Sequence, residues 1–280
     1  MISILGRDES IRYLALGDSL SEGLGDEAPD RPNGVRGWTD RVAEQFMVAD
    51  PGAQYANLAI RGRLLVPIIE EQLGPALDLK PNLVSLVAGG NDSLRPNFDV
   101  DALMVRYDQA FKALRDEGIA VFTLTGFDPG PKGFFSGNRA RVALFNELLR
   151  EVADERGVTV VDYWRMHELL DLRFWAPDRL HMNSAGHILT ARRVLETLSA
   201  KDLTLGDPQV PPALEQSRLQ EVLADARWAR EFVVPWLGRR LRGKSSGDSI
   251  SPKYPQWTRF DLLAEADSDQ LGSSSGPEVY

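Results

Sequence analysis

Short apolar runs alternate along the first two thirds of this chain with longer stretches in which apolar residues recur every three or four positions. The short runs predict buried strands, and the longer spacing predicts amphipathic helices. Strands that alternate with helices are typical of a parallel sheet, because a parallel connection has to cross back over the sheet. The predicted strands lie within residues 13–16, 53–60, 83–88, 119–124 and 158–161, and the predicted helices within residues 38–47, 64–77, 101–117, 139–156 and 183–198.

The chain changes character after residue 200. Prolines at positions 208, 211 and 212 precede an amphipathic stretch over residues 214–241, which ends in the basic residues 239–244. From Ser245 the chain is rich in Ser, Gly, Pro and Asp, which predicts a loosely ordered tail, although Tyr254, Trp257 and Phe260 could still dock. We therefore divide the chain into a catalytic domain (1–204), a C-terminal helical extension (205–244) and a tail (245–280). The extension is expected to pack beside the sheet, where it could overhang a pocket or join two copies in a homo-oligomer.

Composition excludes several classes of function. The net charge of −9 argues against nucleic acid as a partner and against a stable association of the basic end with anionic lipid. The absence of cysteine excludes a thiolate nucleophile and cysteine-based metal centres, and neither a cofactor nor a metal is expected. The apolar start of the chain is too short for a signal peptide, and no run of about 18 apolar residues occurs, so we expect a cytoplasmic protein.

A candidate nucleophile follows the first predicted strand. The apolar residues up to Leu16 stop at Gly17-Asp18-Ser19-Leu20, a small polar cluster suited to a tight turn. Ligands of open α/β sheets bind at the carboxyl ends of the strands, which is where this serine would lie. A turn that Ser19 merely caps is the alternative interpretation.

A serine nucleophile needs a base, and the chain contains only three histidines. His181 lies in the loop sequence Asp178-Arg179-Leu180-His181, ahead of a helix that Asn183 or Ser184 can cap. A three-residue separation allows the Asp178 carboxylate to accept a hydrogen bond from Nδ1 of the imidazole, which leaves Nε2 free to face the serine. His167 and His187 are interpreted as structural.

Oxyanion donors are expected at the ends of two further strands. Gly62 follows the second strand and Asn91 follows the third, and the backbone N–H of Ser19 would complete a hole of three donors. Arg61 and Arg63 flank Gly62 and could bind an anionic substrate group, although solvated residues at the start of a helix are the simpler interpretation.

These motifs together resemble the four sequence blocks of the SGNH hydrolases, also called GDSL esterases and lipases. The blocks are Gly17-Asp18-Ser19-Leu20, Gly62, Gly89-Gly90-Asn91-Asp92 and Asp178-Arg179-Leu180-His181, in the order of that family and over roughly residues 10–200. The resemblance implies a three-layer α/β/α sandwich with a flavodoxin-like sheet. It also implies a Ser19, Asp178 and His181 triad with Ser19, Gly62 and Asn91 as oxyanion donors.

The sequence therefore predicts a serine esterase that hydrolyses small-molecule carboxylic esters, with short acyl chains, through an acyl-enzyme. An acyltransferase or thioesterase that uses the same residues remains an alternative, as does a binding module that has kept the fold without catalysis. The length of the acyl chain and the identity of the alcohol are left open.

Overall fold

The computed structural model describes residues 9–200, 203, 205–213, 217–235, 238 and 245–260. Its centre is a six-stranded sheet in the order β5-β4-β3-β1-β2-β6. All neighbouring pairs among β1 to β5 are parallel, and β6 runs antiparallel to β2. The strands are β1 (Arg12–Gly17), β2 (Gln54–Asn57), β3 (Leu83–Val87), β4 (Ala120–Leu124), β5 (Thr159–Val161) and β6 (Tyr254–Thr258).

Helices cover both faces of the sheet, as the sequence predicted. The helices are α1 (Ser19–Glu22), α2 (Trp38–Ala49), α3 (Leu65–Asp78), α4 (Gly90–Ser93), α5 (Val100–Asp116), α6 (Arg139–Arg156), α7 (Ser184–Thr197) and α8 (Arg218–Trp228). The five long helices predicted from apolar spacing are α2, α3, α5, α6 and α7. Asn183 caps α7 by accepting a hydrogen bond from the Gly186 N–H at 3.2 Å, so His181 lies in the preceding loop.

Alternation along β1 separates two apolar cores. Tyr13 and Ala15 face a core formed with α2 and α7. Leu14 and Leu16 face the opposite core, formed with α3, α5 and α6. Side chains of successive strand residues point to opposite faces, so one apolar run serves both layers. The result is the three-layer α/β/α sandwich that the sequence predicted.

The order of the strands determines where a site can form. β2 pairs with one edge of β1 and β3 with the other, so the connections that leave β1 and β3 turn towards opposite faces of the sheet. A crevice opens at the carboxyl ends of two such strands, and open α/β sheets bind their ligands there. Ser19 follows β1 and Asn91 follows β3, so these two residues lie on either side of this crevice.

The C-terminal segment differs from the prediction. Residues 254–258 form β6, with Tyr55 opposite Thr258 and Asn57 opposite Tyr254, so this part of the predicted loose tail belongs to the main sheet. A five-residue edge strand that contains a proline gives little periodic signal in sequence. Residues 261–280 of the predicted tail lie outside the described residues, and the separation into the three predicted domains stays a prediction.

The predicted C-terminal helix is present in part. α8 spans Arg218–Trp228 and continues into a π-helical turn at Ala229–Val233, just before Pro235. A proline in a helix disturbs the preceding turn, which accounts for the irregularity at this point. Leu219, Val222 and Leu223 of α8 are exposed. The predicted basic end at Arg239, Arg240, Arg242 and Lys244 lies outside the described residues, and a homo-oligomer through this helix stays a prediction.

None of the helices within the described residues combines the length and the apolar character needed to cross a membrane.

Candidate active site

Ser19 lies at the start of α1, directly after a sharp turn at the end of β1. The backbone of Gly17 has φ = 150°, and a Cβ atom at this position would lie 2.4 Å from the Val87 carbonyl oxygen of the neighbouring strand. Glycine is therefore required where β1 passes β3 this closely. Gln72 holds the same turn from α3, because its side-chain amide bonds both the N–H and the C=O of Gly17 at 2.9 Å.

The structure brings Ser19, His181 and Asp178 into one hydrogen-bonded row. His181 Nε2 lies 3.1 Å from Ser19 Oγ, and His181 Nδ1 lies 2.6 Å from Asp178 Oδ2. Ser19 and His181 are 162 residues apart in the chain, so only the fold places them together. With the proton on Nδ1, Nε2 accepts the hydroxyl hydrogen of Ser19. This is the arrangement that the spacing of Asp178 and His181 predicted.

The Asp178 carboxylate is held by its own loop. Its Oδ1 accepts hydrogen bonds from the backbone N–H groups of Leu180 and His181, both at 3.0 Å. Partial burial acts to raise the pKa of Asp178, but the hydrogen bonds and the charge of His181, together with these backbone donors, outweigh it and lower the pKa below its ordinary value. The carboxylate therefore stays ionised and fixes the tautomer and orientation of the imidazole.

Asn91, one of the predicted oxyanion donors, lies beside Asp18. Its Nδ2 donates to Asp18 Oδ2 at 3.0 Å and to the Arg63 carbonyl at 3.1 Å, so both hydrogens of the amide have acceptors in this structure. Asp18 is buried, and desolvation raises the pKa of its carboxyl from 3.8 to about 6, against the hydrogen bond from the Leu20 N–H. Sequence reasoning treated Asp18 only as a turn residue and missed its contact with Asn91.

Gly62, the other predicted donor, lies in a tight turn after β2 with φ = 75°. Within the described residues its N–H has no hydrogen-bond acceptor, and Gly62 does not line the cavity beside Ser19. The turn is held by Glu22 of α1, a fully buried residue whose carboxylate accepts from the Arg61 backbone N–H at 2.8 Å and pairs with the Arg61 guanidinium at 2.5 Å. The C-terminal segment covers the other side, where a Cβ on Gly62 would meet Ser245 Oγ at 2.3 Å.

Arg61 and Arg63, the two predicted substrate-binding residues, are paired within the chain. Arg61 bonds Glu22, and Arg63 bonds both Glu71 at 2.9 Å and Asp248 at 3.1 Å. Neither arginine lines the cavity beside Ser19. Sequence reasoning could not find these partners, since Glu22 and Asp248 lie far from the arginines in the chain.

A cavity of about 130 Å³ opens beside Ser19. Its walls are mainly apolar. Among the described residues, the ionisable side chains that line it are Asp18, Tyr163 and His181. The loop that follows β4 supplies Phe127, Pro129 and Phe135, whereas residues 23–37 supply only Leu24. In the sequence, the loops at residues 23–37 and 127–138, both rich in Gly and Pro, are expected to set the depth of the pocket; the structure gives this part mainly to residues 127–138.

His187 has a structural environment, as the sequence predicted. It is fully buried in α7, accepts a hydrogen bond from the Trp38 backbone N–H through Nδ1, and faces the Leu24 carbonyl through Nε2, both at 3.2 Å. Burial, with the nearby charge of Arg41, lowers the pKa of His187 from 6.5 to about 3. It is therefore neutral at physiological pH.

Comparisons with known proteins bear on the family and the fold of this chain. Residues 15–189 match the GDSL-like lipase/acylhydrolase family. Among solved structures, the acetylxylan esterase Axe2 of Geobacillus stearothermophilus superposes with a TM-score of 0.56 at 20% identity, over 68% of this chain and 94% of that one. The acetyl xylan esterase AlAXEase superposes with a TM-score of 0.56 at 18% identity, over 67% of this chain and all of the other. No curated protein sequence matches the chain significantly.

The likeness to the two esterases shows the fold, and the family match covers every motif from Ser19 to His181. The sequence resemblance to the SGNH and GDSL hydrolases is therefore confirmed. The chain belongs to the GDSL-like lipase/acylhydrolase family and is a carboxylic ester hydrolase.

Proposed function

We propose that this protein is a serine esterase that hydrolyses esters of short acyl chains through an acyl-enzyme intermediate. Ser19 is the nucleophile, His181 the general base and Asp178 the residue that orients the base. The observation that carries the proposal is the continuous row of hydrogen bonds from Asp178 through His181 to Ser19, at 2.6 Å and 3.1 Å. Both distances allow proton transfer without a movement of the backbone.

The reaction proceeds in two acyl transfers. His181 Nε2 takes the hydroxyl proton as Ser19 Oγ attacks the ester carbonyl, and the imidazolium is stabilised by the ionised Asp178. The same proton then passes to the leaving alcohol as the carbon–oxygen bond breaks. In the second step water attacks the acyl-enzyme, His181 takes the proton of the water and returns it to Ser19, and the free acid leaves.

The Ser19 N–H, the Gly62 N–H and Asn91 Nδ2 are the proposed donors to the tetrahedral oxyanion. Of these, Gly62 does not line the cavity beside Ser19, and its N–H has no acceptor within the described residues. Asn91 must then give up one of its two present acceptors, Asp18 Oδ2 or the Arg63 carbonyl. The exchange is favourable for the Arg63 carbonyl, because the oxyanion carries more charge than this neutral carbonyl and binds a donor more strongly.

The size of the cavity supports a short acyl chain. A cavity of about 130 Å³ with mainly apolar walls holds a group of about the volume of benzene, so an acyl chain of roughly six carbon atoms or fewer fits beside Ser19. The structural relatives are named as acetylxylan esterases, and acetyl is a short acyl group, which agrees with a preference for short chains. Structures described as catalytic mutants of Axe2 replace a serine, an aspartate and a histidine, and the last two are three positions apart, as Asp178 and His181 are here.

The test uses p-nitrophenyl esters of increasing chain length together with the Ser19→Ala variant. We expect activity to be highest for acyl chains of about two to six carbons and to fall steeply by twelve. Ser19→Ala should lower kcat by a factor on the order of 10⁶ and abolish labelling by a fluorophosphonate probe. Ser10→Ala, on an exposed serine remote from the cavity, is the matched control. Retention of more than about a tenth of the activity in Ser19→Ala would exclude the mechanism.

A further inference from the structure

α8 lies outside residues 15–189, yet it contacts the turn that carries Asp178 and His181. The indole Nε1–H of Trp228 donates to the Asp178 backbone carbonyl at 3.0 Å. Arg179, the next residue of the turn, forms an ion pair with Asp225 at 2.6 Å, and its guanidinium carbon lies 5.0 Å from the centre of the Trp228 ring. Two residues on one face of α8 therefore hold two consecutive residues of the turn.

The turn has a conformation that needs such support. Arg179 has φ = 54°, in the left-handed region that a non-glycine residue adopts only at a cost of about 1 kcal/mol or more. The turn is closed at its base by a hydrogen bond from the Ala176 N–H to the His181 carbonyl at 2.8 Å. Within the described residues, the Asp178 carbonyl has Trp228 as its one hydrogen-bond donor. α8 thus supplies the outer contact of a strained loop.

Trp228 is itself firmly placed. Its ring is buried and packs edge-on against Phe134, with the ring centres 5.4 Å apart. Phe134 belongs to the same loop as Phe127 and Phe135, which line the cavity beside Ser19. Trp228 therefore joins the Asp178 turn on one side to the cavity loop on the other.

From these contacts we infer that Trp228 is a positioning residue for ester hydrolysis. The inference rests on the proposed function, in which Asp178 orients His181. By fixing the backbone of Asp178, the indole N–H keeps the carboxylate within 2.6 Å of His181 Nδ1 and the imidazole within reach of Ser19. α8, which follows the residues matched by the family, thus contributes to the geometry of the site.

The main test is Trp228→Phe, which removes the indole N–H and keeps an aromatic ring against Phe134. We expect kcat to fall about tenfold, the factor that corresponds to one hydrogen bond, with KM for p-nitrophenyl acetate changed less than twofold. Trp257→Phe is the matched control. Trp257 lies on β6, and its indole Nε1–H donates to a backbone carbonyl, that of Leu79, at 3.1 Å. This control variant should keep the kcat of the wild type.

A spectroscopic measurement separates positioning from a general loss of stability. The His181 Nδ1–H that bonds Asp178 should give a far-downfield proton resonance, which we expect to shift or broaden in Trp228→Phe and to stay unchanged in Trp257→Phe. Equal loss of kcat in both variants, or an unchanged kcat and resonance in Trp228→Phe, would overturn the inference.

A second variant keeps the test informative if Trp228→Phe does not fold. Asp225 is largely exposed, so Asp225→Asn leaves the core intact while it releases Arg179. We expect kcat to fall about two- to fivefold, the range of an exposed ion pair, and an unchanged kcat would count against the inference. Failure of the proposed function is distinguishable, because Ser19→Ala would then keep the activity of the wild type whatever the Trp228 variant does.

Discussion

Lys253 offers the sharpest test of how the C-terminal segment is joined to the fold. It immediately precedes β6, and its side chain is fully buried. Nζ donates to the Glu22 carbonyl at 3.0 Å and to the carboxylate of Asp40, which is also fully buried in the first turn of α2. Asp40 has two further donors, the Tyr55 hydroxyl at 2.9 Å and the Gly37 N–H at 3.0 Å. We therefore consider the variant Lys253→Met.

The expected cost follows from what the substitution leaves behind. Methionine keeps most of the apolar stem of lysine, so the change is mainly electrostatic. Removal of one partner of a buried ion pair costs about 3–5 kcal/mol, because the remaining charge stays desolvated without a counter-charge. Asp40 keeps two hydrogen bonds, so its cost falls at the lower end of this range, about 3 kcal/mol, and the Glu22 carbonyl adds about 1 kcal/mol because it loses its donor. We expect a total of roughly 4 kcal/mol, or a fall in Tm of about 10 °C.

The assay is urea unfolding of Lys253→Met, followed by far-ultraviolet circular dichroism, beside the double variant Lys253→Met/Asp40→Asn. The double variant should recover much of the loss, since a neutral amide needs no counter-charge. Lys112→Met is the matched control, because Lys112 pairs with Asp116 at 2.5 Å on the surface and should contribute less than about 1 kcal/mol. A Lys253→Met variant as stable as Lys112→Met, or a double variant less stable than the single one, would refute the reasoning.

Two further predictions concern the dependence of stability on pH. Burial raises the pKa of Asp18 to about 6, so the folded protein binds this proton more tightly than the unfolded chain. The free energy of unfolding therefore falls as pH rises from about 4 to above 6, because the buried carboxyl becomes charged over this range. In urea unfolding, Asp18→Asn should therefore gain up to about 3 kcal/mol relative to the wild type between pH 4 and pH 8. His187 has the opposite sign: its pKa of about 3 in the folded protein means that stability is complete above pH 6.5 and falls by about 1.4 kcal/mol for each pH unit below it. His187→Gln should remove this slope between pH 6 and pH 4, whereas His167→Gln, at an exposed position, should keep it.

Each of these predictions has an outcome that contradicts it. A constant stability difference between Asp18→Asn and the wild type from pH 4 to pH 8 would mean that the Asp18 carboxyl has the same pKa in the folded and unfolded chains. Equal slopes in His187→Gln and the wild type would mean that His187 is protonated in the folded protein as readily as in the unfolded chain.

Much of the site was predictable because its parts are local. Ser19 and Asn91 each follow an apolar run that forms a parallel strand, and parallel strands bring their carboxyl ends to one edge of the sheet. Gly62 also follows such a strand but does not line the cavity. The three-residue separation of Asp178 and His181 is a local geometry as well, and the carboxylate bonds both the imidazole and the backbone of the same turn.

The partners of the site residues were not predictable, because they come from distant parts of the chain. Asn91 meets Asp18 across 73 residues, and the Arg63 guanidinium meets Asp248 across 185. Arginines beside a candidate site are compatible with substrate binding or with an internal ion pair, and the sequence around Arg61 and Arg63 does not distinguish the two. The choice depends on which carboxylate the fold brings within reach.

The sequence alone thus established the alternation of strands and helices, and it predicted the edge at which the polar motifs gather. These follow from the period of apolar residues, which is a property of neighbouring positions. Only the tertiary structure decided that residues 254–258 complete the sheet, that Lys253 is buried against Asp40 and that Trp228 supports the Asp178 turn. The physical reason is that a single side chain carries no local periodicity; its partner is selected when the packed elements exclude water from both.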